Sequence, residues 1–208
     1  MDPSEKRRII ADRISDVADM CLFGILWLLL LVPILTAGAA TSAVYKMHYD
    51  IRREKKVSTA QFLVAFKDSF KNALMIEIIQ ILTGGVLGIV AYLIVKGRGL
   101  ENISVLVGAP VVAVILLWWM IFSYAYAYTA FFEQTIGGTL YNSLIMGIGN
   151  IKNTILQMVL SAIVPLCYLV SPGVFIRIIP VIALLGLPLI FWGKSTCYMR
   201  VFQEYVSE

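Results

Sequence analysis

The chain has 208 residues, 60% of them hydrophobic and only 14% charged, with a formal net charge of +4. A soluble domain of this size carries about 25% charged residues. The composition therefore argues for a polytopic membrane protein with short loops, and so small a net charge makes nucleic-acid binding a poor reading. No polar stretch is long enough for a separate soluble domain, so 1–208 reads as one membrane domain.

Residues 1–19 form a polar leader in which Asp2, Glu5, Asp12, Asp16 and Asp19 outnumber the basic residues Lys6, Arg7, Arg8 and Arg13. The first apolar run, 20–45, follows. A basic start, an apolar stretch and Ala37-Gly38-Ala39 imitate a cleavable signal peptide. The acids in the leader and the four further apolar runs favour a retained segment. Pro33 interrupts the run, because proline removes a backbone donor and clashes with the preceding turn. Thr36-Ala37-Gly38-Ala39-Ala40-Thr41-Ser42 comes next, a run of small residues that lets backbones approach closely. Two half-helices, Trp27–Val32 and Leu35–Tyr45, would give a re-entrant segment; a continuous, Pro-kinked crossing helix is the alternative.

Residues 46–72 are basic. Lys46, Arg52, Arg53, Lys55 and Lys56 are the candidate contacts to an anionic lipid surface. Ser58-Thr59-Ala60-Gln61 has capping-box spacing, and Phe62, Phe66, Phe70 and Ala73 recur near helical spacing. These features predict an interfacial amphipathic helix feeding the next run, or else an ordinary helix packed on the same face.

Membrane helices are expected over 73–95, 103–132, 155–170 and 174–193, most of them near the ~20 residues that cross ~30 Å of hydrocarbon. Glu77 and Gln80 share a face early in the first of these. A carboxylate at membrane depth is a functional candidate, with interfacial solvation or interhelical hydrogen bonding as the plainer reading. Gly84 and Gly88 have close-packing spacing, assigned to contacts within the chain. Trp118, Trp119, Tyr124, Tyr126 and Tyr128 enrich the next run in aromatics; packing accounts for them better than sugar stacking, since no carboxylate stands among them. Glu133 and Gln134 mark its boundary. Pro165, Pro180 and Pro188 bend the last two runs, and 194–208 is a polar tail.

Chemistry-bearing motifs are missing. Gly193-Lys194-Ser195 mimics the end of a phosphate loop, but Pro188 stands where that loop needs glycine. Cys21, Cys167 and Cys197 lack disulfide or metal spacing, and His48 is the sole histidine. The expectation is no catalytic residue, no metal and no cofactor. The candidate functional residues are Glu77, Gln80, Pro33, Thr36, Gly38 and Thr41.

Counting Lys and Arg by segment separates two topologies. Five full spans put 10 cations on one side and 7 on the other. A first run that returns to its own side makes the division 14 to 3. The expected fold is thus an all-α integral membrane protein with four transmembrane helices, a Pro-broken first segment and a cytoplasmic amphipathic helix. Five full spans is the alternative.

Several stretches carry a resemblance. Pro33-Ile34-Leu35-Thr36-Ala37-Gly38-Ala39-Ala40-Thr41-Ser42-Ala43-Val44-Tyr45 resembles the opening signature of the YesL-like family of small bacterial multi-pass membrane proteins. Phe66-Lys67-Asp68-Ser69-Phe70-Lys71-Asn72, Thr139–Leu144 and Arg200-Val201-Phe202 with Tyr205 are similar to later elements of that family, in the same order. The resemblance implies a protein of the bacterial cytoplasmic membrane, found alongside carbohydrate ABC importers, with no catalytic residues to transfer. The reading is a non-enzymatic accessory or regulatory protein of a carbohydrate ABC import system, both termini cytoplasmic. Membrane lipids are expected partners, with importer permease subunits and a second copy of the chain as further ones. A small-solute transporter or channel acting as a homo-oligomer is the alternative.

Overall fold

In a computed structural model that describes residues 3–31, 33–53, 55, 57–98, 105–182 and 186–206, the protein is helical, with no strand among the described residues. The first apolar run is a hairpin. Helix α1 (Pro3–Leu31) ends just before Pro33, a single 3₁₀ turn covers Ile34–Thr36, and α2 (Ala37–Arg52) leads back. Proline cannot continue α1, and Thr36 closes the bend: its backbone N–H donates to Pro33 O at 2.7 Å. Its hydroxyl reaches the carbonyls of Pro33, at 2.8 Å, and of Leu30. The arms are antiparallel, because Leu30 meets Thr36 near the bend and the Trp27 indole donates to Thr41 Oγ1 further out. The small residues of α2 let it sit at the centre of the fold: Gly38, Ala39, Ala40, Ser42, Ala43 and Val44 are all buried.

Helix α3 (Thr59–Arg98) runs 40 residues without a break, about 60 Å. The expected interfacial helix and the second apolar run are one element, since no proline or glycine stands between Thr59 and Thr83. Phe62, Ser69, Ala73 and Ile76 bury one face of its first half. Helix α4 (Val105–Thr129) packs antiparallel to α3: Tyr126 meets Gln80, and Trp118 meets Thr83. Helix α5 (Ile136–Gly149) starts at Thr135, whose hydroxyl accepts from the Gly138 N–H at 3.3 Å. Helix α6 (Ile151–Val170) contains Pro165. The last expected span, 174–193, holds two described helices, and 183–185 between them lie outside the described residues. Helix α7 (Pro172–Val181) ends just past Pro180, and α8 (Leu187–Val206) carries Pro188 in its first turn, the position a helix tolerates.

Three helices among the described residues are long and apolar enough to cross a membrane: Thr59–Gly97, Leu106–Thr129 and Ile151–Val170. The most apolar stretch of the first has 0% of its residues buried and those of the other two 11%, so their apolar side chains face outward, as in lipid. The chain is an integral membrane protein. Its core lies where α1, α2, α4 and α8 meet. Here Tyr45 and Tyr124 both set their rings edge-on to Tyr198, at 4.9 and 5.2 Å. A Ser-x-x-Tyr spacing recurs on three of these helices, at 42–45, 123–126 and 195–198. The three copies interlock: Ser42 Oγ lies 2.8 Å from Tyr126 O, and Tyr198 OH donates to Ser123 O at 2.5 Å.

Candidate functional site

The bend of the hairpin leaves the first N–H groups of α2 without intrahelical acceptors. Thr36, the residue before α2, makes no side-chain cap, because its hydroxyl closes the bend instead. The cap comes from another helix. Glu77 on α3 is only 7% exposed, and its Oε2 accepts the Gly38 N–H at 2.9 Å. A carboxylate at a helix N-terminus meets both the free donor and the positive end of the helix dipole. Glycine at 38 is required by space. A Cβ there would lie 2.6 Å from Tyr126 Cε1 and 3.1 Å from both Ala73 O and Glu77 Oε2.

One turn along α3, Gln80 Oε1 accepts from the Tyr126 hydroxyl. One turn along α2, Ser42 Oγ lies 2.8 Å from Tyr126 O, 2.7 Å from Thr129 Oγ1 and 3.2 Å from Gly38 O. Glu77, Gln80, Gly38, Ser42, Tyr126 and Thr129 thus join α2, α3 and α4 in one polar seam. Of the six residues expected from sequence, Gly38, Glu77 and Gln80 meet in it. Pro33 and Thr36 shape the bend beside it. Thr41 faces α1, holding Trp27 and donating to Ala37 O at 2.7 Å. The seam is a set of static hydrogen bonds, with no nucleophile–base pair within it.

Tyr126, Ser42 and Thr129 were not singled out from sequence as members of this seam. Ser42 lies one turn from Gly38, and Thr129 one turn from Tyr126, so each pair shares a helix face. Nothing in the spacing says that α2 and α4 lie side by side.

The cationic stretch that begins at Lys46 within α2 and continues past its end also turns inward in part. Arg52 donates to Trp192 O at 3.0 Å and to Thr196 Oγ1, and its guanidinium lies 5.1 Å from the Trp192 ring. Lys46 lies over Phe131 at 5.4 Å, Arg53 over Tyr49 at 4.5 Å, and Lys55 pairs with Asp50 at 3.4 Å. Lys56 lies outside the described residues. His48 is wholly buried, and neither ring nitrogen makes a hydrogen bond of normal geometry. Burial pushes its imidazole down to about 4; the Phe191 backbone offsets part of this and Arg52 adds to it. His48 is therefore a neutral core residue at pH 7. Among the described residues, no three His, Cys, Asp or Glu side chains gather as a metal site would need.

Residues 20–90, which hold the hairpin, the bend and Glu77, match the family model described as "Protein of unknown function, DUF624". No curated protein and no solved structure matches the chain.

Proposed function

Taking the chain as a protein of the DUF624 family, to which the YesL-like proteins belong, we propose that it is a non-enzymatic protein of the bacterial cytoplasmic membrane. In this reading it docks on a carbohydrate ABC importer and assists or regulates it. The carbohydrate part rests on the resemblance to YesL-like proteins. The docking part rests on α3. Its first turns extend rigidly from the apolar stretch, bury Phe62 and Ser69 on the rest of the fold, and leave Gln61, Leu63, Val64, Lys67, Asp68 and Lys71 exposed. A mixed apolar and charged face, held in fixed geometry beside the membrane, suits contact with the cytoplasmic side of another membrane protein. Glu77, the carboxylate a solute path would use, is occupied as the cap of α2.

The proposed topology has four spans, the fourth formed from 174–193, and a re-entrant first run. Two observations support it. The bend sits against Ala73 and Glu77, about one turn beyond exposed Lys71, while α3 continues 21 residues further to Arg98, about 31 Å. From that level α2 leads back toward Lys46, Arg52 and Arg53 rather than across. This agrees with the 14-to-3 division of cations and puts both termini in the cytoplasm.

The test is affinity purification of the tagged full chain in mild detergent from cells growing on a glycan. Co-purification of an ABC permease subunit, reduced by paired Leu63→Ser and Val64→Ser substitutions, is the expected result. Recovery of the chain with no permease at all would refute the docking role.

A further inference from the structure

A cleft of about 200 Å³ opens between α1, α6 and α8. Its walls are apolar: Trp27 from α1, Leu160 and Val164 from α6, and Leu187, Ile190 and Phe191 from α8. Two polar side chains reach it, Ser161 and Lys194. The Ser161 hydroxyl donates to Gln157 O at 2.8 Å, and the Trp27 indole N–H is held by Thr41. Lys194 makes no salt bridge or hydrogen bond among the described residues, so its ammonium is the one uncommitted donor in the cleft. One turn from Ser161 on α6, the Gln157 amide is 1% exposed and neither its oxygen nor its nitrogen has a partner.

A half-buried ammonium needs an anion or water to offset its desolvation. The complement of this site is one negative group followed by an apolar chain. A sugar would need several acceptors and donors, and the volume is below the ~300–1,000 Å³ usual for sites that enclose a whole small molecule. An amphiphile whose tail runs out along the helix faces meets neither objection.

We propose that this cleft binds an anionic phospholipid, with the phosphate on Lys194 and the first acyl carbons against Leu160, Val164 and Leu187. This goes beyond the importer reading and needs only that the chain lies in a membrane. A lipid seated here would fill the junction between the α1–α2 hairpin and α8, so the lipid composition of one leaflet would set how firmly the hairpin is held.

Native mass spectrometry of the purified full chain in detergent tests the site, with phosphatidylglycerol, phosphatidylcholine or inorganic phosphate added. Phosphatidylglycerol should be retained with a preference of about tenfold over phosphatidylcholine, the order expected of one charge-assisted contact. Lys194→Met should abolish the preference, and Lys194→Arg should keep most of it. Lys152→Met, on an exposed residue outside the cleft, should leave it unchanged. Equal retention of both lipids by the native chain, or an undiminished preference in Lys194→Met, would overturn the proposal. So would displacement of the lipid by inorganic phosphate at equal concentration, which would mark a free-anion site. If Lys194→Met is not recovered monodisperse, Val164→Trp decides. It narrows the cleft from the opposite wall and should lower phosphatidylglycerol retention; unchanged retention would overturn the proposal.

Discussion

The two halves of α3 are made in different ways. From Thr59 to Gln80 the helix is sewn into the fold: Phe62 stacks on Phe23 with ring centroids 5.6 Å apart, Glu77 caps α2, and Gln80 holds Tyr126. Beyond Gly84, which with Thr83 meets Trp118, its side chains are largely exposed, and a Cβ added at Gly85 or Gly88 would meet nothing within 4 Å. One half is specified by hydrogen bonds and packing, where each atom matters. The other is specified by hydrophobicity and length alone, because lipid asks no more of it. Substitutions should therefore be costly in the first half and nearly silent in the second.

The largest effect is expected at the hairpin bend. Gly38→Leu drives a side chain into Tyr126 and the Glu77 cap, so it should cost about 3 kcal/mol and lower the melting temperature in detergent by on the order of 10 °C. His48 should give a pH dependence of similar size. Its folded pKa, about 4, lies below the unfolded value of 6.5, so the unfolded chain binds the proton first. Stability is full above pH 6.5 and falls by about 3 kcal/mol as the pH drops to 4. Melting curves of His48→Gln, compared with the native chain from pH 7.5 to 4.5, should lack that component. Glu77→Ala should cost about 1–3 kcal/mol by leaving the Gly38 N–H without its acceptor. Glu77→Gln should cost less, since an amide oxygen still accepts. Smallest of all, Gly88→Ala should change the melting temperature negligibly, within about 0.5 kcal/mol. Gly84→Ala should lower it measurably, because its Cβ would lie 2.6 Å from Trp118 Cζ2. Equal effects at the two glycines would break the contrast between the halves.

The same contrast separates what was legible in the sequence from what was not. Pro33 and the small residues after it give the hairpin, because chain-breaking and close approach are local properties. Glu77 stands out as an acid in an apolar run, and Gln80 shares its face. The Gly84 and Gly88 spacing is only half used within the chain: Gly84 takes the Trp118 ring and Gly88 faces open space. The continuity of α3 was hidden by its change from amphipathic to wholly apolar, which reads as two elements although nothing interrupts the backbone. Neither the Tyr126 contact nor the burial of His48 has a local signature, since both depend on which helices lie side by side. In 174–193, which holds Pro180 and Pro188, the described helices are α7 and α8, and 183–185 between them lie outside the described residues.

The central claim is that the hairpin enters and leaves by one face while α3 crosses. Single cysteines at Ser15, Arg53 and Arg98 test it most directly, in a chain whose Cys21, Cys167 and Cys197 are replaced, labelled in intact cells with a membrane-impermeant maleimide. The account predicts that Arg98→Cys labels in intact cells, whereas Ser15→Cys and Arg53→Cys label only after permeabilisation. Labelling of Ser15→Cys and Arg53→Cys from opposite sides, or of Arg53→Cys and Arg98→Cys from the same side, would contradict it.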